Sequence, residues 1–308
     1  MKILVTGGAG FIGSHIVDKY IEMGHSVIVL DNLYSGLVGN INKKAQFVNM
    51  NIQDANLLNL FENEKFDIVS HHAAQMDVRL SVKDPTFDAN VNILGGINLY
   101  EACVKTNVKK IIFASSGGTV YGEQIEFPAP ETHPLNPCSP YGISKMVNEK
   151  YLFYYKEVYG LDYVAFRYGN VFGPRQNPHG EAGVIAIFID KMLNNEQPII
   201  NGDGLITRDY IYIEDVVDAN IKALNDNIEG IYNVTTGKET NVNTIFETLK
   251  KNIKIDVEIK HGPAKAGEQR RSCCAYNKLN LVSGWEPQIS FENGIVNTVK
   301  YYQNKLIK

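Results

Sequence analysis

Tyr141 and Lys145 stand four residues apart at the start of a stretch, 141–159, that reads as a long helix, and residues at that spacing share one helix face. A free tyrosine titrates near pH 10, roughly, and is a poor base at neutral pH. A lysine ammonium one turn away favours the phenolate, and such a phenol can take a proton from a substrate hydroxyl. A second constellation opens the chain. Gly7, Gly10 and Gly13 follow the β-rich run Ile3–Thr6 in a G-x-x-G-x-x-G spacing, and Phe11 and Ile12 begin a helical stretch, 12–23. A turn without side chains in front of a helix N-terminus lets backbone N–H groups approach a pyrophosphate. Asp31 ends the next apolar run, Ser26–Leu30, and is followed by Asn32 and Leu33, with no arginine before Arg79. A carboxylate there accepts from ribose hydroxyls and repels a 2′-phosphate, which favours NAD over NADP. A positive nicotinamide ring would further favour the Tyr141 phenolate. Asn51 and Ile52 are expected beside the adenine, and the small His72-Ala73-Ala74 run lets the cofactor cross the sheet edge.

These residues need a scaffold, and the hydrophobic periodicity supplies one. Strands are expected at 3–6, 26–30, 45–49, 68–71, 110–115 and 163–168, and helices at 12–23, 57–63, 86–106 and 141–159. Continuous apolar strands alternating with amphipathic stretches predict a Rossmann-like, doubly wound parallel α/β sheet. Beyond Gly173 the pattern breaks into shorter elements. Residues 1–173 are expected to form an NAD-binding domain and 174–308 a smaller α/β substrate-binding lobe, with part of 208–236 (the run 231–235) returning to the main sheet. Helices are expected there at 184–194, 215–224, 242–251 and 291–305.

The 308 residues are 44% hydrophobic and 21% charged, a globular composition. With 30 Lys and Arg against 34 Asp and Glu, the formal charge of -4 argues against nucleic-acid partners. No run is long and apolar enough for a membrane span, and the opening residues carry no leader pattern. The four cysteines form no C-x-x-C pair and no zinc-ligand cluster, so no metal is expected. Reduced thiols and a cytoplasmic location are the expectation.

Six segments then occur in order: Thr6–Gly13, Asp31-Asn-Leu, Ser115–Gly122 (SSGGTVYG), Ser139–Lys145 (SPYGISK), Arg167–Pro174 (RYGNVFGP) and Arg208–Ile213 (RDYIYI). Together they resemble the extended short-chain dehydrogenase/reductase family, most closely its UDP-glucose (UDP-galactose) 4-epimerases. The resemblance spans nearly the whole chain. It implies an NAD that stays bound, with Tyr141 taking the proton of the sugar 4-OH and the 4-keto sugar rotating before reduction. One position departs from the pattern. The resemblance places a serine or threonine where this chain has Gly117. Ser116, Thr119 or an ordered water could supply the missing hydroxyl. Gly117-Gly118 also lacks the Asp-Glu pair of related 4,6-dehydratases and the glutamate of decarboxylating relatives. Another UDP-sugar 4-epimerase (UDP-glucuronate, for example) or an NAD-dependent sugar-nucleotide oxidoreductase is the alternative.

The resemblance further implies that Arg208 binds the substrate phosphates, with Lys265 in the place of a second arginine and Arg270 and Arg271 nearby. Asn170 would contact the phosphate region, and Ile199 and Asn201 would bracket the uracil. Ser272 would gate the sugar 2-substituent, and a small residue there predicts that UDP-N-acetylglucosamine and UDP-N-acetylgalactosamine are accepted. The stretches 86–106 and 141–159 carry apolar residues on more than one face. A homodimer through a four-helix bundle is the expectation.

Overall fold

Ile3, Leu4 and Val5 are all fully buried, as only a strand covered on both faces allows. In the computed structural model, which describes residues 1–179, 183–225, 227–264 and 269–306, that strand is an interior strand of a seven-stranded sheet. The order along the first half is β1 (Lys2–Thr6), α1 (Phe11–Glu22), β2 (Ser26–Asp31), β3 (Gln46–Asn49), α2 (Leu57–Glu64), β4 (Ile68–His71), α3 (Val78–Lys83), α4 (Pro85–Ala89), α5 (Gly95–Lys105), β5 (Lys110–Ser116), α6 (Pro140–Tyr159) and β6 (Asp162–Tyr168). The second half contributes β7 (Asn170–Phe172), α7 (Val184–Leu193), β8 (Ile199–Asn201), β9 (Thr207–Arg208), β10 (Tyr210–Tyr212), α8 (Ile213–Lys222) and β11 (Gly230–Val234). It ends with β12 (Thr240–Asn241), α9 (Val242–Ile253), β13 (Lys260–Gly262), β14 (Arg271–Ser272), α10 (Asn277–Ser283) and α11 (Phe291–Leu306).

The main sheet runs β11-β6-β5-β4-β1-β2-β3 with every pairing parallel. Its fold class is the doubly wound one that the periodicity predicts. The strand order reverses between β1 and β4, and ligands of such sheets bind at the carboxyl ends of the strands at that point. Alternate residues of each strand feed opposite cores. Leu4, Leu30, Val69 and Phe113 pack with Phe61, Tyr100, Leu152 and Tyr155 on one face. Ile3, Val5, Val29 and Ile112 pack with Ile16, Tyr20, Val216 and Val299 on the other. β11, close to the run expected to return, pairs with β6 from Gly230↔Val164 to Val234↔Tyr168.

The expected single helix over 86–106 is instead three joined pieces. α4 passes into a π-turn, Asn90–Leu94, and then into α5. The wider turn carries Asn92, which is buried and bonds both backbone groups of Gln75: it accepts from the Gln75 N–H (2.9 Å) and donates to the Gln75 carbonyl (2.8 Å). Among the described residues no helix is long and apolar enough to cross a membrane.

Candidate active site

The carboxyl edge of the sheet opens into a cleft of ≈ 1420 Å³. Pockets for single small molecules run to roughly 300–1,000 Å³, so this cleft has room for a dinucleotide and a second nucleotide-sized ligand. Its cofactor wall is built from the β1–α1 turn. Gly7 has φ +70, and a Cβ there would lie 2.6 Å from the Ala73 nitrogen. A Cβ on Gly13 would lie 2.3 Å from the Gly7 carbonyl oxygen. No side chain caps α1 at Gly10, which leaves its N-terminal amides to a ligand. Asp31 ends β2 on the cleft wall, 7% exposed, accepting from the Ala9 N–H (3.0 Å) and the Leu33 N–H (2.8 Å). Burial raises its pKa, and those two amides oppose the shift. An uncapped helix behind a side-chain-free turn, with a carboxylate at the next strand end, fits NAD.

The opposite wall is α6, which starts sharply. Ser139 accepts from the Gly142 N–H (3.1 Å) as its N-cap, and Pro140 follows. Tyr141 and Lys145 both line the cleft from this first turn. Lys145 is 3% exposed, donates to the Ala114 carbonyl (2.8 Å), and lies 5.5 Å from the centre of the Tyr141 ring. Burial lowers the Lys145 pKa to about 8, opposed by Asp88 and Glu149. Tyr141 departs from the expectation of a favoured phenolate: burial raises its pKa, and the Asp88 charge adds to the rise. The protein alone therefore keeps the phenol protonated.

Between the two walls runs the loop after β5. Ser116 and Thr119 both line the cleft, and the hydroxyl of Thr119 is buried with no partner among the described residues. The Thr119 carbonyl would lie 2.8 Å from a Cβ on Gly142, so Thr119 packs against the turn that carries Tyr141. Gly117 is hemmed in. A Cβ there would meet the carbonyls of Arg167 (3.2 Å) and Tyr168 (3.3 Å) and the Cys274 sulfur (3.3 Å). Beneath the loop, Arg167 and Glu149, 3% and 1% exposed, form a buried ion pair at 2.7 Å. Glu149 also accepts from Ser115 (2.6 Å), and Arg167 donates to the Tyr121 hydroxyl (2.9 Å).

Of the residues expected at the cofactor, Gly7, Gly10, Phe11, Ile12, Gly13, Asp31, Asn32, Asn51, Ile52, His72, Ala73 and Ala74 all line the cleft, whereas Leu33 does not. Leu33 holds Asp31 through its backbone instead. His72 is held neutral, its pKa lowered to about 3 by burial and then by Lys145. Of the residues expected at the substrate, Asn170, Ile199, Asn201 and Arg208 line the cleft. Arg271 does not: its guanidinium is paired with Glu239 (2.6 Å) and lies over the Phe127 ring. Arg270 pairs with Asp203 (3.2 Å). Ser272 is 3% exposed, off the lining, with its backbone in register with Arg208 across β14 and β9. Lys265 lies outside the described residues. Gln75, Phe87 and Gln269 also line the cleft, and no sequence motif marks them. No cluster of three or more potential metal ligands occurs among the described residues.

Residues 3–235 match the model of the NAD dependent epimerase/dehydratase family. The UDP-glucose 4-epimerase of Mycolicibacterium smegmatis is 42% identical over 311 residues, covering 99% of each chain. A crystal structure of UDP-glucose 4-epimerase with UDP-glucose from Thermotoga maritima superposes with a TM-score of 0.97 at 47% identity, covering 99% of this chain and 100% of that one. The UDP-N-acetylglucosamine 4-epimerase of Methanobrevibacter ruminantium, in complex with UDP-N-acetylmuramic acid, superposes with a TM-score of 0.93 at 37% identity, covering 99% and 98%.

Proposed function

The chain belongs to the NAD-dependent epimerase/dehydratase family, and from that premise we propose that it is a UDP-sugar 4-epimerase. Its substrates are UDP-glucose and UDP-galactose, and also UDP-N-acetylglucosamine and UDP-N-acetylgalactosamine. The observation that carries the reading is the cleft itself. A Tyr-Lys pair on α6 faces a dinucleotide cradle, and the space between them is large enough for a sugar nucleotide.

NAD held along the β1–α1 turn and Asp31 supplies acceptance and return of a hydride at the sugar C4. Tyr141 takes the 4-OH proton and later gives it back. Lys145, anchored on the Ala114 carbonyl, supplies the positive charge that offsets the burial of the phenol and would hold the nicotinamide ribose of bound NAD. Thr119 supplies the hydroxyl that a residue at Gly117 cannot. Its buried oxygen has no partner among the described residues, whereas a Cβ at Gly117 would press on the Arg167 and Tyr168 carbonyls at 3.2 and 3.3 Å. Arg208 and Asn170 hold the diphosphate, and Ile199 and Asn201 border the uracil, so the 4-keto sugar turns while UDP stays in place. In this reading residues 1–173 bind the cofactor and 174–308 the UDP sugar, with β11 joining the cofactor sheet.

Ser272 is buried off the cleft lining, in register with Arg208 of the cleft wall, and its small side chain is what supports acceptance of a 2-acetamido group. Both substrate pairs should be interconverted, with products resolved by NMR. Ser272→Tyr is expected to lose N-acetyl turnover about tenfold or more and to keep the plain hexoses; that loss corresponds to roughly 1.4 kcal/mol of barrier. Equal N-acetyl activity in the two proteins would remove Ser272 as the gate, and failure of the wild type on every UDP hexose would remove the function.

A homodimer through the α5 and α6 faces is part of the same proposal. Phe153, Val158 and Tyr159 on α6 are 55%, 57% and 51% exposed, and Leu94 beside α5 is 58% exposed, an apolar surface that water does not favour. A monomer in light scattering at micromolar concentration would exclude it.

A further inference from the structure

Asp88 is fully buried on α4, a place where an aspartate survives only if its oxygens are satisfied. It accepts three side-chain hydrogen bonds and, among the described residues, makes no ion pair. Its Oδ2 accepts from the Ser144 hydroxyl (2.6 Å), and its Oδ1 accepts from the Gln75 side-chain amide (3.0 Å) and the Asn92 side-chain amide (3.0 Å). Each donor belongs to a different element around the cleft. Ser144 lies on α6 between Tyr141 and Lys145. Gln75 belongs to the 72–77 strap that lines the cofactor side. Asn92 sits in the π-turn and clasps the same strap by its backbone. A second tie runs parallel: Asn148, one turn beyond Ser144, donates to the Asn92 carbonyl (2.9 Å).

We propose that Asp88 is a positioning residue of the reaction, its carboxylate locking the Tyr141–Lys145 turn of α6 to the Gln75 strap on the cofactor wall. The two walls carry the groups that must meet at one sugar carbon, and a misplacement of about 1 Å can cost on the order of 100-fold in rate. A neutral amide could keep both bonds at Oδ1 with its oxygen, but it would turn an NH2 toward Ser144, whose hydroxyl now donates and would have to accept. The lock also places a negative charge behind the reacting pair. The titratable and charged groups facing that pair are Asp88 from α4, Glu149 from α6 with its partner Arg167 from β6, and His71 and His72 from the end of β4. Asp88 opposes proton loss from both Tyr141 and Lys145. Its removal therefore lets Tyr141, the base, release its proton at lower pH and moves the acidic limb down, while Lys145, which must stay charged, moves the alkaline limb down.

The inference rests on the epimerase reading above, and wild-type turnover of UDP-galactose by the same assay tests that reading separately. Asp88→Asn is compared with wild type for kcat, KM and the pH dependence of kcat, with thermal melting as the check on folding. A fall in kcat of about 10-fold or more, a KM within about threefold, and an acidic limb moved down by about half a pH unit or more are expected. A limb that stays in place overturns the role at the reacting pair, since a merely structural loss would not move it. Ser144→Ala keeps the charge and cuts one tie, so a several-fold loss of kcat with an unmoved limb is expected. Ser144→Ala kinetics equal to wild type would overturn the lock, whether or not Asp88→Asn folds.

Discussion

Tyr141→Phe is expected to lower kcat for UDP-galactose by about 10³-fold, within the range roughly 10²–10⁴ ascribed to a positioned acid or base, while NAD remains bound. The substitution removes one oxygen and keeps the ring, so the packing of α6 against the cleft is preserved. The size of the loss follows from what the site does to the phenol. Burial and the Asp88 charge both disfavour the phenolate, and Lys145 is the cation positioned to reverse this, its own pKa brought to about 8. The other phenols described in the cleft lining, Tyr34 after β2, Tyr168 on β6 and Tyr210 on β10, come from other elements. The hydroxyl relay gives a smaller companion effect. Thr119→Val should lower kcat by about tenfold or more, and Ser116→Ala should leave it nearly unchanged. Turnover of Tyr141→Phe within twofold of wild type, by a coupled assay of UDP-glucose formation, would remove Tyr141 as the base.

Glu149→Gln is expected to destabilise the fold by about 3–5 kcal/mol, the usual cost of breaking a buried ion pair by removing one charge. Arg167 is 3% exposed and makes two of its bonds to Glu149, at 2.9 and 2.7 Å. Its remaining partners, the Tyr121 hydroxyl and the Glu131 carbonyl, carry no full charge. The substituted amide keeps the volume but leaves a guanidinium uncompensated in a dry site. The damage reaches the chemistry as well, because Ser115 and Tyr121, both tied into the pair, flank the 116–119 loop. Equilibrium urea unfolding measures the loss, and a change below about 1 kcal/mol would show that the pair is not what holds β5, β6 and α6 together. Replacing both members by apolar residues of similar volume should restore part of the stability.

Much of this arrangement is legible in the sequence, for a physical reason. The β1–α1–β2 unit is written in local terms: side-chain-free positions where backbones nearly touch, a helix that begins at once, and a carboxylate at the next strand end. Spacing alone therefore predicts that Gly7, Gly13 and Asp31 meet, and the Tyr141–Lys145 pair is equally local. What long-range partners decide is not legible. Arg271 reads as a free cation until Glu239 and Phe127 are seen beside it. Ser272 reads as a lining residue until β14 is seen to bury it. Asp88 belongs to no motif, because nothing local announces that Ser144, 56 positions away, will donate to it. The π-turn interrupts a pattern whose period stays helical, and α3, with six residues, is too short to show a period.

The central claim is that one cleft binds NAD and a UDP sugar together and returns the sugar inverted at C4, with the cofactor unchanged overall. The most direct measurement is incubation of the purified protein with UDP-galactose and no added nucleotide, following the sugar by NMR and the nicotinamide by absorbance. Conversion to an equilibrium mixture with UDP-glucose, with no net accumulation of NADH, is the predicted result. Stoichiometric NADH with an oxidised sugar, or no conversion of UDP-galactose by a protein that retains NAD, would contradict it.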